Sequence, residues 1–280
     1  MSREVASPAD RLAWAIARHA GELPGGTVFA ASGSAQVGIR LAQALFGVRL
    51  ALCGRGGAYD LAGIPALHAR HWLFNRRPRA HVSLARVFET LSEPHSLLAT
   101  PAQIDGAANA NLSGIGDPSR PSVAFGGSRG LPDAQSVHFV LPAHGARQLV
   151  ERVDFVSTAA ATRAVPPFLF TPLCVMRWNP AAGRWRLIEI APGNDAAALA
   201  ARTGFAFETA DDLRPMEDPP EAALALLPAL DPLGIRALDF VAGRAEMLDA
   251  IARIYEAERA LVGAGHDPAA RRRGGKDERP

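Results

Sequence analysis

The chain has 280 residues, 48% of them hydrophobic and 21% charged, with a net charge of +2 at pH 7. That length and apolar content suit one large α/β domain with a sizeable core and exclude a disordered chain. So balanced a charge excludes the electrostatic footprint of a nucleic-acid binder, and no stretch reaches the roughly 18 uninterrupted apolar residues of a membrane-spanning helix. Cys53 and Cys174 sit in apolar runs without a CxxC pattern and read as buried reduced thiols of a cytoplasmic protein. Arg3, Glu4 and Asp10 stand where the apolar core of a signal peptide would be.

In chain order, residues 8–21 pattern as an amphipathic helix with Leu12, Ala15, Ile16 and His19 on one face, Ser7 as N-cap and Pro8 at the first helical position. Residues 27–31 form a short apolar strand, Ser32-Gly33-Ser34 a turn, and residues 35–46 a helix, which together make a βα unit. The turn reads either as plain packing or as a ligand loop with backbone N–H groups facing a phosphate. It is not a P-loop, since no Gly-Lys-Ser/Thr is present. Residues 48–53 are the next strand, running into Gly54-Arg55-Gly56-Gly57. Cys53 reads as a buried strand-end cysteine, with an activated thiolate as the alternative. Residues 58–82 are loop-like and basic, a solvated face or a patch for an anion or a partner chain. His68-x-x-His71 within it lacks further ligands at metal spacing. Glu89 either pairs with Arg86 at i,i+3 or is a titratable group near a cleft.

Residues 96–104 read as one buried strand. Asn109 and Asn111 then suit tight turns, since Asn tolerates the left-handed region and bonds its own backbone; the alternative is that they reach a ligand. In the glycine cluster that follows, Gly127, Ser128 and Gly130 form a turn whose N–H groups could face an oxyanion. Arg129 offers a bidentate clamp for a carboxylate or phosphate, or else braces the loop. Residues 136–141, 152–156, 168–178 and 184–190 are strand-like. Asn194 or Asp195 caps a helix that runs through Arg202 and ends at Thr203-Gly204-Phe205, with glycine in a C′-like position. Residues 219–226 are a short helix, and residues 242–262 an added helix with Met247, Ile251, Ile254 and Leu261 on one stripe. Residues 1–263 are expected to form the α/β domain and residues 264–280, charged and glycine-rich, a disordered tail.

Four pieces recur in order at fitting spacing: Ala102-Gln103-Ile104-Asp105, Asn109-x-Asn111, Gly127-Ser128-Arg129-Gly130 and Val153-Asp154-Phe155-Val156-Ser157. The set resembles the β subunit of the family I coenzyme A transferases, with weaker matches over about residues 8–235. Arg86-Val87-Phe88-Glu89-Thr90-Leu91 and the arginine of the glycine turn are similar to the branch that hydrolyses a ring-derived coenzyme A thioester in steroid breakdown. The resemblance implies a single open, mostly parallel sheet flanked by helices, an acyl-coenzyme A thioester as substrate with no permanently bound cofactor, and an α subunit of the same fold in an αβ or α2β2 assembly. It also implies substrate contacts from Asn109, Asn111, Gly127, Ser128, Arg129, Gly130 and Glu89.

Three departures matter. Where the family carries a nucleophilic Glu after the second strand, this chain has Gly54, and no Glu lies between Glu22 and Glu89. Covalent catalysis through a carboxylate needs that side chain, so the catalytic carboxylate is expected on the partner. The family's glycine pair before Ala102 is Thr100-Pro101, and its Pro-Tyr-Gly before the first Asn is Gly106-Ala107-Ala108. A non-catalytic subunit that stabilises its partner is the alternative reading.

Overall fold

The computed structural model describes residues 6–24, 26–53, 58–59, 80–81, 95–125 and 134–264. Helix α1 (Pro8–His19) starts at a capping box: the Ser7 hydroxyl accepts from the Asp10 N–H, and the Asp10 carboxylate accepts from the Ser7 N–H. A single 3-10 turn (Ala20–Glu22) leads to β1 (Gly26–Ala30). Helix α2 (Gly33–Phe46) is capped by Ser32 and stopped by Gly47 in the left-handed region, φ 64°. The strands that follow are β2 (Leu50–Cys53), β3 (Ala58–Tyr59), β4 (Ala80–His81), β5 (His95–Ala99), β6 (Gln103–Ile104), β7 (Asn109–Asn111), β8 (Gly114–Ile115), β9 (Val123–Ala124), β10 (Ser136–Val140), β11 (Thr158–Ala159), β12 (Phe168–Phe170), β13 (Cys174–Asn179) and β14 (Arg184–Ile190). Helix α3 (Ala196–Ala200), β15 (Glu208–Pro215) and helices α4 (Glu221–Leu230), α5 (Ile235–Leu238) and α6 (Arg244–Ala264) complete the described chain.

Eight strands form one open sheet in the order β15-β14-β13-β12-β10-β5-β1-β2. All pairings in it are parallel except those β13 makes with β12 and β14. The expected α/β class with a mostly parallel open sheet is what the chain adopts. Alternation along the strands splits the interior in two. Val28, Leu98, Val140, Phe168 and Phe170 turn to one side and pack with Leu12, Ile16, Ile39 and Leu41 of α1 and α2. Phe29, Leu97, Phe139, Leu169 and Met176 turn to the other, where they meet Ile104, Ala108 and Ala110 of a small sheet, β11-β7-β6.

Several sequence expectations are corrected. The strand over 96–104 breaks after Ala99, because Pro101 cannot donate to a ladder; Gln103 and Ile104 pair with β7 instead. The strand over 168–178 is a hairpin. Thr171 folds its hydroxyl back to accept from the Leu173 and Cys174 N–H groups, reversing the chain at Pro172. Residues 152–156 form no strand: the polar side chains of Asp154 and Ser157 bond to other segments and hold the backbone irregular. Asn109 and Asn111 are extended, and the left-handed residue of that turn is Ala108, φ 57°. Gly204 is a close-approach glycine rather than a helix cap, since a Cβ there would lie 2.6 Å from the Leu149 carbonyl oxygen. Strand β15, charged and at the sheet edge, has too little apolar alternation to be read from sequence.

Candidate functional site

From β1 the chain moves outward to β2, then returns across β1 to β5, β10 and β12. The strand order therefore reverses between β1 and β5, and in open α/β sheets ligands bind beyond the carboxyl ends of the strands at such a point. Two described loops start there: Ala31–Ser32 into α2, and Thr100–Pro101 into the small sheet.

The first loop has its anion supplied internally. The Gly33 and Ser34 N–H groups donate to the Asp239 carboxylate at 3.2 and 2.8 Å, and the Ser34 hydroxyl donates to the Arg236 carbonyl. Gly33 must be glycine, because a Cβ would sit 2.3 Å from the Ile235 carbonyl oxygen. Of the two sequence readings, packing turn and phosphate loop, this geometry realises the first. Nearby, the Thr100 hydroxyl and both ends of the Gln36 amide are buried with no hydrogen-bond partner among the described residues. Sequence reasoning passed over both, and only burial distinguishes them from other polar residues.

The second loop carries the motif pieces, and side chains tie them into one unit. Asp105 accepts from the Ala107 and Asn109 N–H groups, both at 3.0 Å, and from the Asn109 side-chain amide at 3.1 Å. The Gln103 side-chain Oε1 accepts from the Asn111 side chain at 2.8 Å and from the Asp154 N–H at 3.0 Å. Asn111 is fully buried; its NH2 also reaches the Gly114 carbonyl, and its carbonyl oxygen accepts from the Ser113 and Gly114 N–H groups. Ser157 accepts from the Leu112 N–H at 2.8 Å, and Asp154 from the Gly116 N–H at 2.8 Å. Trp185 in β14 anchors the unit by donating its indole N–H to the Asp105 carbonyl at 3.0 Å.

These bonds leave an apolar surface. Val123 in β9, Phe125 just after it, and Phe155 and Val156 on the adjoining segment are each about half exposed, while Asp154 and Ser157, which flank the last two, bond to the Gly116 and Leu112 N–H groups. Gly127, Ser128, Arg129 and Gly130, like Glu89, Gly54 and the His68/His71 pair, lie outside the described residues. Of the motif candidates, the structure brings Asn109 and Asn111 together, both within the hydrogen-bonded unit.

Both cysteines are buried. The Cys53 thiol donates to the Ala51 carbonyl of its own strand. Cys174 lies 3.5 Å from His144 Nδ1, a spacing that invites a nucleophile–base reading. Burial pushes the Cys174 thiol up to about 12, against the Thr171 hydroxyl that favours the thiolate, and burial together with Arg202 pushes His144 down to about 4. Both are therefore neutral at pH 7, and His144 bridges Thr171 at 3.2 Å and Thr203 at 2.9 Å as a brace. Among the described residues no group of three or more His, Cys, Asp or Glu is arranged to hold a metal ion, and no helix is long and apolar enough to cross a membrane.

Comparison with solved structures aligns this architecture with glutaconate coenzyme A-transferase from Acidaminococcus fermentans: TM-score 0.72, 17% identity, 85% of this chain and 98% of that one. The fold is that of the coenzyme A transferases. The IpdAB protein of Rhodococcus jostii RHA1 aligns with TM-score 0.71 and 20% identity over 85% of this chain and 100% of that one. The decarboxylase AibA/AibB aligns with TM-score 0.70 and 24% identity over 82% and 97%. Among curated proteins, the β subunit of 3-oxoadipate CoA-transferase from Pseudomonas knackmussii is 25% identical over 146 residues, 46% of this chain and 56% of the relative. The chain thus spans about half the length of the curated relative it matches. No family model matches the chain.

Proposed function

We propose that this chain is the β-type subunit of a two-subunit enzyme of the coenzyme A transferase fold, acting on an acyl-coenzyme A thioester. The observation that carries this reading is the union of Ala102-Gln103-Ile104-Asp105, Asn109-x-Asn111 and Val153-Asp154-Phe155-Val156-Ser157 in one hydrogen-bonded unit that follows the carboxyl end of β5. Pieces that carry a family resemblance in the sequence meet in space, on the fold of that family. The partial match to the β subunit of 3-oxoadipate CoA-transferase supports the subunit type.

The partner supplies the catalytic carboxylate, because Gly54 stands where a β-type Glu would attack. Val123, Phe125, Phe155 and Val156 are its docking surface: four large apolar side chains exposed on adjoining segments suit a face that a partner covers. This chain contributes part of the wall of the site, with Arg129 among the residues proposed to contact substrate. The reaction is either hydrolytic, as in the branch that the sequence resembles, or a transfer of coenzyme A or of the acyl group to another acceptor.

A second reading, a subunit with no chemical part, is favoured by the internal use of Asn111, Asp105 and the α2 N-terminus. Co-expression with an α-type subunit, followed by free-thiol release from a panel of acyl-coenzyme A thioesters with and without a carboxylate acceptor, separates these. Release without acceptor identifies a hydrolase, and exchange only with acceptor a transferase. An active complex indifferent to Arg129→Ala would support the purely structural role.

A further inference from the structure

Away from the motif unit, the end of α1 meets the sheet through a compact ionic cluster that the proposed function does not use. His19 is 5% exposed. Its Nδ1 lies 2.9 Å from a Glu22 carboxylate oxygen and its Nε2 lies 3.1 Å from a Glu189 carboxylate oxygen. Neutral imidazole has one N–H, so one of two flanking carboxylates would face a ring lone pair; only imidazolium satisfies both. We propose that His19 is a proton-operated latch that fastens Glu22, in the turn after α1, to the junction of α1 with strand β14: as imidazolium it holds Glu22 and Glu189 together, and on losing a proton it keeps Glu189 and releases Glu22.

The surroundings decide which bond breaks. Glu189 has no exposure and is also held by Arg18 at 3.0 Å and Arg214 at 3.7 Å, so it cannot turn to water. The Glu22 side chain is 40% exposed and has a second partner in Arg177, which lies over the Phe168 ring. Glu22 can therefore leave His19 without losing every bond. An open cleft of about 360 Å³ lined by His19, Glu22, Arg177, Asn179, Arg186, Asp212 and Arg214 gives water access to that side. The remaining charges facing the cluster are Glu217 on Arg18 and, behind Phe168, His138, which burial keeps neutral. Burial opposes charge on His19, but the hydrogen bonds and charges of Glu189 and Glu22 outweigh it and raise its pKa.

A group whose folded pKa is raised gives stability that is full below its unfolded value, about 6.5, and is lost as pH rises through the folded value. Long-range 1H–15N correlation of the ring nitrogens in the full chain, with His19→Gln for assignment, reads the latch directly. We expect both His19 nitrogens protonated near pH 6, titration above the ordinary histidine value, and an Nε2–H tautomer at the alkaline end. A neutral ring near pH 6, or an Nδ1–H tautomer at the alkaline end, overturns the proposal. In parallel, the wild-type thermal midpoint should fall by a few degrees more than that of Glu22→Gln as pH rises from about 6 to 9. Equal slopes in the two proteins would also overturn it.

Discussion

On one face of the sheet, α1 and α2 bury Leu12, Ile16, Ile39 and Leu41 against Phe168 and Phe170, and charges pair beside them: Arg11 with Asp218, Arg18 with the buried Glu189, Arg236 with Asp10 and the buried Asp231. On the other face, short strands with few large side chains are held by single polar groups that each serve several backbone donors, as Asp105 and Asn111 do. The helical face spreads its stability over many apolar contacts. The loop face concentrates it in a few polar side chains, and its outermost apolar residues point away from the chain.

The largest way to break this contrast is Trp185→Ala. Trp185 is fully buried, packs on Phe139 and Trp178, and donates to the Asp105 carbonyl. Its loss should cost about 3–5 kcal/mol in urea unfolding. A cost below about 1 kcal/mol would show that the small sheet is not anchored through β14. Next is Asp105→Ala, which orphans the Ala107 and Asn109 N–H groups and should cost about 2–3 kcal/mol, with Asp105→Asn milder because it keeps an acceptor. Hydrogen exchange should rise across β6 and β7 and stay unchanged in α1.

Gly33→Ala tests the other face. The added methyl meets the Ile235 carbonyl, a backbone atom that cannot step aside, and should cost about 1–3 kcal/mol. Faster exchange should then appear in the first turn of α2 and in α5, with β6 and β7 unaffected. Smallest is the alkaline response. Between about pH 6 and 9 the helical face changes charge through His19, whose folded pKa is raised, while His144 on the loop face, held near 4, stays neutral. Exchange corrected for intrinsic rates should therefore rise at the end of α1 and not around Thr203.

The helical face was legible in the sequence because helix caps and apolar periodicity are local: Ser7 and Pro8 start α1 as expected, and the apolar pattern over 35–46 finds α2, although Ser32 and Gly47 were not read as its caps. The parallel order of the sheet came through the family resemblance. What stayed hidden on the loop face depends on residues far apart in the chain. Asn109 and Asn111 read as turn formers because Asn usually serves itself; here Asp105 and Gln103 recruit them into a strand while Ala108 takes the left-handed position. The hairpin at Pro172 was missed because Thr171 makes the turn from inside an apolar run. Asp239 filling the α2 N-terminus links residues 205 positions apart, which no spacing rule reaches.

The central claim is that this chain acts only with a partner that brings the catalytic carboxylate. The most direct measurement is thiol release from acyl-coenzyme A by the chain alone and by the complex copurified with an α-type subunit, using wild type and Phe155→Asp/Val156→Asp. The account predicts no release by the chain alone, release by the wild-type complex, and loss of copurification in the double variant, whose own folding is intact. Release by the chain alone would contradict it.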